Sequence, residues 1–478
     1  MSETSSSSAS ILKLNYKRTC IIGFAFFGIL LLWQVYDSWC PTFLTELFKK
    51  AIPGSSEAEV QYLVGIMMAL DNLAALILIP VFGRLSDKTH TKIGKRMPYI
   101  LVGTFVCALA FPFIPVAFHY GNMAGTISLM AIVVVFAMMY RNPAVALMPD
   151  MTPKPLRSKA NGIINIMGYI GGACATVIGI PFALSSYLDT AGKGGFWAHN
   201  IWCIEIPFLV GSLLMVISAI FLFIKIKENK IAEEVRSEME EGEKEAEIEV
   251  TSEEEEKPMS KKHLIMLLLI LGAEFFWFMA DNGISTFMGN YTIYYLKCQT
   301  SSNMINTIVM GVGSIIGFAV GGIIADKIGR KRTVSIGLGI TIAAIAVWAI
   351  LTFAIPVKTP AAGEYNPFPI YLFPIFFVKG LGMSLVHVNS FPMVVELCSK
   401  KKVGQFTGYY YASSMAAQTI TPILLGLLML IPSFDFNILP IYATACLVAA
   451  LILIMFVKNM KANTNLTKKG LEAFGGDD

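Results

Sequence analysis

The sequence PVFGRLSDKTHTKIGKRMP, residues 80–98, follows a long apolar run, and a shorter version, GGIIADKIGRKR, residues 321–332, follows another. In each, a glycine stands four residues before an aspartate, Asp87 or Asp326, and a second glycine precedes a basic cluster. The two aspartates are 239 residues apart in a chain of 478 residues. This repetition predicts that the chain contains two copies of one structural unit.

A second pair of features repeats at nearly the same distance. Asp150 with Arg157 follows one apolar run, Glu396 with Lys402 follows another, and the two acids are 246 residues apart. Two features that recur at nearly one offset indicate a duplicated six-helix unit, which is the plan of many secondary transporters.

The apolar runs around these motifs are long enough to cross a membrane, because a transmembrane helix needs about 20 mostly apolar residues. We predict twelve of them, at 20–43, 60–83, 97–118, 124–148, 158–184, 201–226, 263–296, 302–326, 331–356, 369–397, 403–430 and 437–458. The seventh and tenth are long enough to be tilted, to extend past the bilayer or to be broken near Gly283 and Gly380–Gly382. The sequence therefore predicts an all-α membrane protein with twelve transmembrane helices in two six-helix pseudo-repeat halves.

The composition agrees with this prediction. Hydrophobic residues make up 55% of the chain and charged residues only 15%, whereas soluble proteins carry about 25% charged residues. With a mean hydropathy of +0.63, these values exclude a soluble enzyme, a nucleic-acid-binding protein and a disordered scaffold.

Charge also divides the chain into segments. An N-terminal half, 1–226, and a C-terminal half, 263–478, flank a Glu-rich linker, 227–262. Such a run is typical of a solvated segment that is partly helical or disordered. A regulatory role for the linker is the less favoured alternative.

The basic residues predict the orientation. Of the 37 Lys and Arg residues, 30 lie in the termini and in one alternating set of loops, and 5 lie in the other set. Because cytoplasmic loops are enriched in Lys and Arg, we expect both termini and the linker to be cytoplasmic. The first 19 residues are polar and lack the short apolar core of a cleavable signal peptide. The lack of an organelle signal favours a plasma membrane.

The chain lacks several chemical signatures. Its eight cysteines are scattered without a CxxC pair, so neither a disulfide framework nor a metal site is expected. The sequence contains no G-x-x-x-x-G-K-[ST], H-E-x-x-H or G-x-S-x-G motif. We therefore expect neither an ATP-driven pump nor a hydrolase, and no cofactor other than a coupling ion.

Charged side chains inside the predicted helices are the strongest functional signal, because each costs about 2.5–3.5 kcal/mol at a helix centre. Away from the ends of these helices we single out seven charged residues or histidines: Asp37, Asp71, Arg141, Glu274, Asp281, Lys379 and His387. Six of the seven fall on helices 1, 4, 7 and 10, which are equivalent positions in a three-helix pattern repeated four times.

These residues suggest three functional groups. The candidates for proton coupling are Asp71, Asp281 and His387. Polar groups and rings that could bind a sugar are Asp37, Gln34, Trp33, Tyr36, Arg141, Trp277, Asn282, Lys379 and Asn389. The repeated loops supply candidates for a cytoplasmic gate: Gly83, Asp87, Gly94, Lys95, Arg96, Asp150, Arg157, Asp326, Gly329, Arg330 and Glu396. Each gate acid could be satisfied by a neighbouring helix N-terminus or by Arg or Lys, and breaking that contact would open the cytoplasmic side.

The doubled loop motif and twelve helices resemble the major facilitator superfamily. Residues 80–100, with extra residues between the aspartate and Gly94 and a proline after the basic pair, are similar to the glycoside–pentoside–hexuronide cation symporters and the sucrose carriers. Residues 142–161, 389–396 and 404–410 agree with the same group. The chain departs from plant sucrose carriers at Asp71-Asn72 and Val145, and Asp71 stands without the second acid of the melibiose carrier.

The resemblance implies a major facilitator fold that works as a monomer in the lipid bilayer. It implies proton- or sodium-coupled uptake of a mono- or disaccharide, bound between the halves, by alternating access. Two alternatives remain open: an exporter or antiporter of another small polar solute, and a transporter-like sensor that binds without turnover.

Overall fold

The computed structural model describes residues 13–153, 156–189, 195–240, 261–361, 364–397, 403–431 and 433–457. Within these ranges the chain is helical and forms twelve helices long and apolar enough to span a membrane. We number them α1 (Tyr16–Ala51), α2 (Gln61–Lys88), α3 (Met97–His119), α4 (Met123–Asp150), α5 (Lys159–Leu188), α6 (Ile201–Lys225), α7 (Lys261–Tyr295), α8 (Thr300–Ile328), α9 (Arg330–Ala354), α10 (Leu372–Val395), α11 (Gln405–Met429) and α12 (Asp435–Phe456). The prediction of twelve transmembrane helices is confirmed.

Several helix ends follow from local sequence. The side chains of Asn15, Asn122 and Asn200 accept hydrogen bonds from backbone N–H groups at the starts of α1, α4 and α6, as N-cap residues do. α7 is regular through Gly283 as far as Asn290 and then continues as a π-helical turn, Tyr291–Tyr295. α10 is likewise continuous through Gly380–Gly382. Neither long helix is broken at its glycines.

The helices pack as two similar halves. In the first half α1 packs against α5 and α6, and α4 packs against α2 and α3. The second half repeats these pairs six helices later, with α7 against α11 and α12, and α10 against α8 and α9. Each half surrounds one main hydrophobic cluster. Residues 241–260 of the predicted linker lie outside the described residues.

The two halves meet chiefly at one end of the bundle. We call the end with residues 88–96 and 327–332 the basic end, and the other the opposite end. Toward the opposite end, α2 and α11 approach so closely that a Cβ on Gly65 would overlap the backbone of Pro422. A Cβ on Gly426 would overlap the backbone of Gln61 in the same way. Glycine at both positions therefore permits direct backbone contact between the halves.

Polar contacts between the halves have the same distribution. Among the described residues, every hydrogen bond that joins the halves lies between the bundle centre and the opposite end. The buried amide of Asn290 on α7 is the hub of the largest group. It accepts from Thr42 at 2.7 Å and donates to Thr45 at 3.0 Å and to Gln61 at 2.9 Å. The opposite end is thus closed by a buried network.

Candidate functional site

A central cavity of about 350 Å³ lies between the two halves. It is lined by side chains of α1, α2 and α4 from the first half and of α7 and α11 from the second. Its polar lining residues are Asp37, Asp71, Asn72, Arg141, Asn282, Ser285, Thr286, Tyr410, Tyr411, Ser414 and Gln418, and its aromatic lining also includes Trp33 and Phe278. A volume of this size suits a small-molecule site.

Two acids and one arginine of the first half line this cavity. Asp71 accepts a hydrogen bond of 2.8 Å from the hydroxyl of Tyr36, which is fully buried behind it. Asp37 is exposed to the cavity and, like Arg141, forms no hydrogen bond or ion pair with any described residue. The first half therefore presents charges to the cavity that it does not neutralise by direct contact.

The charges of the second half are arranged differently. The ammonium of Lys379 on α10 forms an ion pair with Asp281 on α7 and also contacts the sulfur of Met310 at 3.6 Å. His387 packs its ring against Phe278, with centroids 5.4 Å apart. Lys379, Asp281 and His387 do not line the central cavity. Asp281 interacts electrostatically with both Lys379 and His387, so the three residues form a polar cluster outside the cavity lining.

The remaining predicted binding residues fall in three places. Trp33 and Asn282 line the cavity. Gln34, whose amide donates to Ser38 at 3.3 Å, and the fully buried Trp277 do not. Asn389 is buried and contacts Arg330 at 3.4 Å, so it belongs to the basic end.

Sequence reasoning missed most of the lining from α11. Tyr410, Tyr411, Ser414 and Gln418 face the cavity, and none of them is among the predicted binding residues. Asn72 was also missed, and its amide donates to the Gln418 carbonyl at 3.1 Å, linking the halves within the cavity. The polar spacing of residues 410–418 on a membrane helix is the signal that could have found them.

The predicted gate of the first half is assembled around Arg96. Its guanidinium, which is almost fully buried, forms ion pairs with Asp87 at 2.5 Å and Asp150 at 2.9 Å and also donates to Ser86. Lys95 adds a contact with Asp150 at 3.1 Å. Burial opposes the charge of Arg96, but the bonds to Asp150 and Asp87 outweigh it and raise the pKa of this guanidinium.

Two further predicted gate residues shape the helices around Arg96. Gly83 allows the side chain of Asn142 to approach α2, where it donates to the Ile79 carbonyl at 2.9 Å. Arg157 donates to the carbonyls of Pro149 and Thr152, both at 3.0 Å, and so caps the end of α4.

The predicted gate of the second half has fewer contacts. Arg330 pairs with Glu396 at 2.7 Å, and Gly329 before it adopts a φ of +89° that favours glycine. Asp326, the counterpart of Asp87, forms no hydrogen bond or ion pair with any described residue. The sequence repeat is therefore not matched by an equal set of contacts.

A comparison with known protein families shows to which family this helical protein belongs. The sequence model of the Major Facilitator Superfamily matches residues 22–362, which is well over half of the chain. The chain belongs to the major facilitator superfamily. None of the curated protein sequences compared with it matches.

Solved structures resemble this superfamily member at low sequence identity. The inward-open xylose transporter XylE from E. coli shares 16% identity, with a TM-score of 0.59 over 95% of this chain and 98% of that one. A bacterial homologue of the iron transporter ferroportin, inward-facing, shares 13% identity, with a TM-score of 0.61 over 93% and 99%. A POT family transporter in complex with 5-aminolevulinic acid shares 11% identity, with a TM-score of 0.63 over 92% and 96%. At these identities the likeness concerns the fold alone.

Proposed function

We propose that the chain is a proton-coupled symporter that imports a mono- or disaccharide by alternating access. The observation that carries this proposal is the central cavity, in which polar groups of both halves face one another across about 350 Å³. A solute bound there would contact both halves at once. Its binding could therefore favour the rearrangement that exposes the cavity to the other side.

The lining is chemically suited to a sugar. The carboxylate of Asp37 can accept hydrogen bonds from hydroxyl groups, and the amides of Asn282 and Gln418 can both donate and accept. The rings of Trp33 and Phe278 offer apolar surfaces for the C–H faces of a pyranose.

Asp71 is our candidate for the proton carrier. Its carboxyl group faces the cavity, so protons and solute can reach the same compartment. Asp281 is the weaker candidate because Lys379 already compensates its charge. Inside a membrane, a carboxylate without a cation partner is protonated more readily than one whose charge is compensated.

Orientation is part of the proposal. If the basic end is cytoplasmic, as the Lys and Arg distribution predicts, the buried network around Asn290 closes the extracellular side. We place the protein in the plasma membrane with both termini cytoplasmic, acting as a monomer.

The test is uptake of labelled sugars, including sucrose and maltose, into proteoliposomes with and without an inward proton gradient. We expect gradient-driven accumulation that collapses on addition of a protonophore. Saturable uptake that does not depend on the proton gradient but depends on a sodium gradient would show that the coupling ion is sodium. Failure of every sugar to enter, with folded protein, would reject the sugar assignment.

A second candidate is a carrier of another small polar solute, importer or exporter, whose substrate bears an acidic group. The guanidinium of Arg141, which lines the cavity without an ion pair to any described residue, favours it, because such a charge is stabilised by a bidentate carboxylate. Adding amino acids, dipeptides and sugar acids to the same uptake panel distinguishes the candidates. Counterflow of a bound solute also separates either carrier from a sensor that binds without turnover.

A further inference from the structure

The start of the linker is buried at particular positions although most of its residues are exposed. Residues Glu228–Glu234 form a short helix directly after α6, and the side chain of Glu228 at its beginning is only 4% exposed. The sequence had predicted solvent exposure for the whole Glu-rich run. A buried carboxylate must be satisfied by hydrogen bonds or a charge, and Glu228 is satisfied by the repeated loop of the first half.

The carboxylate of Glu228 caps the start of α3. It accepts hydrogen bonds from the backbone N–H groups of Lys95 at 2.9 Å, Arg96 at 3.1 Å and Met97 at 3.0 Å. The first N–H groups of a helix have no partner within the helix and carry partial positive charge. One acidic side chain from a different segment therefore binds the N–H group of Met97, which begins α3, together with those of Arg96 and Lys95 just before it.

The neighbouring contacts fix the loop against the same segment. Asn229 donates from its amide to the carbonyls of Thr91 at 3.0 Å and Lys92 at 3.1 Å. Gly94 adopts a φ of +118°, and a Cβ there would overlap the carboxylate of Glu228. Both the conformation and the space at Gly94 are therefore adapted to the presence of Glu228.

Apolar side chains anchor the segment to the body of the first half. Ile226 and Val235, on either side of the short helix, are almost fully buried, and Ile231 packs against the hydrophobic cluster of that half. The charge of Arg18 at the start of α1 is attracted to Glu234 and Glu238. The segment thus touches both the core and the loop.

We propose that residues 226–235 form a clamp that positions Arg96 for gating. Glu228 acts through the backbone: by holding residues 95–97, it places the Arg96 guanidinium between Asp87 and Asp150. The clamp is the first part of the linker that joins the two halves. A force on the linker, or a modification of it, is therefore transmitted to the gate of the first half. The proposal rests on transport by alternating access but not on the identity of the solute.

The second half supports the specificity of this device. A Cβ on Gly329, the counterpart of Gly94, would meet open space. Besides the contacts of Arg330 with Glu396 and Asn389, this loop donates a hydrogen bond from Lys331 to the carbonyl of Met455, within α12. In the described part of the chain, a carboxylate cap on the repeated loop is confined to the first half.

The first arm of the test is hydrogen–deuterium exchange on the full-length protein in lipid nanodiscs, which needs no solute. We expect Glu228→Ala to raise the exchange of amides 95–97 at least about tenfold, as the loss of charge-assisted hydrogen bonds predicts. Glu233→Gln is the matched control, because Glu233 is an exposed carboxylate on the same short helix. It should leave the exchange unchanged.

The second arm is counterflow of whichever labelled solute the uptake panel identifies. We expect Glu228→Ala to reduce turnover several-fold with little change in solute affinity, Glu228→Gln to recover part of it, and Glu233→Gln to behave as wild type. Should Glu228→Ala fail to fold, Glu228→Gln, which keeps the size of the side chain but removes its negative charge, replaces it in both arms. Unchanged exchange at amides 95–97 would overturn the clamp, and increased exchange at wild-type turnover would overturn its link to gating. If no sugar in the panel is transported, the sugar proposal is rejected. The hydrogen–deuterium exchange of amides 95–97 still decides whether the clamp exists.

Discussion

The two halves share one plan of helices but use their charges in different ways. In the first half, Asp37 and Arg141 face the cavity without an ion pair to any described residue. In the second half, Lys379 and Asp281 neutralise each other away from it. The same difference recurs at the basic end, where Arg96 has two acidic partners and Arg330 has one. We infer that the first half supplies the charged groups of the cavity, whereas the second half lines it with uncharged polar and aromatic groups.

The largest expected effect tests this difference between the halves at Asp71, the proposed proton carrier. Asp71→Asn should abolish gradient-driven accumulation, by about 100-fold or more, while exchange of solute across the membrane persists, because only the titratable group is removed. Proteoliposome uptake and counterflow measure the two activities. Asp326→Asn, on the equivalent helix of the second half, is the control. Normal accumulation by Asp71→Asn would assign the proton elsewhere, with Asp281 next.

The second prediction concerns the ion pair of the second half. Lys379→Met should destabilise the protein by about 3 kcal/mol, because it leaves the carboxylate of Asp281 without its cation. The double variant Lys379→Met/Asp281→Asn should recover most of that loss, as a neutral pair has no uncompensated charge. Thermal unfolding in detergent gives the free-energy difference. If the double variant also recovers transport, the ion pair between Lys379 and Asp281 is structural. If it recovers stability but not transport, the pair has a role in the transport cycle.

The third prediction addresses the place where the halves are joined. Asn290→Ala removes the hub of the buried network and leaves the partners on α1 and α2 unsatisfied, at a cost of about 1–3 kcal/mol. The closed state of the opposite end should lose population, which exchange of amides in residues 42–61 would detect. Asn303→Ala, on α8 near the same end, serves as the control. Equal exchange in the two variants would mean that backbone contact at the glycines is sufficient for closure.

The smallest expected effect separates the two repeated loops. Asp87→Ala removes a partner of Arg96 and should slow counterflow several-fold with little change in affinity. Asp326→Ala removes a carboxylate that has no described partner and should have almost no effect. If the two variants slowed transport equally, the loops would be equivalent in a conformation other than this one.

The sequence was sufficient for the architecture because the membrane imposes it. Backbone groups in lipid must be hydrogen-bonded within each segment, so helices coincide with contiguous apolar runs. The repeated loops could also be found, since Asp87, Asp150 and Arg96 do meet. Charges inside predicted helices located one side of the cavity, through Asp37, Asp71 and Arg141.

Other features depend on how helices rotate and cross, which the sequence does not encode locally. The tyrosines of α11 could face lipid, protein or cavity, and only packing against α2 and α7 decides. Asn389 lies on the same helix as Lys379 but contacts Arg330 at the basic end. Glu228 resembles its solvated neighbours in the sequence, and only the loop folded over it distinguishes it.

The close contact of α2 with α11 has a mechanical consequence. Gly65 and Gly426 bring the two backbones together near one extremity of each helix, so the contact can act as a fulcrum. From Gly65 to Lys88 is a lever arm of about 35 Å, at 1.5 Å per residue. A tilt of roughly 10° about this point displaces the far tip by about 6 Å, while the fulcrum hardly moves. A methyl group added at either glycine would push the two helices apart at this contact and change how far the other end of α2 moves.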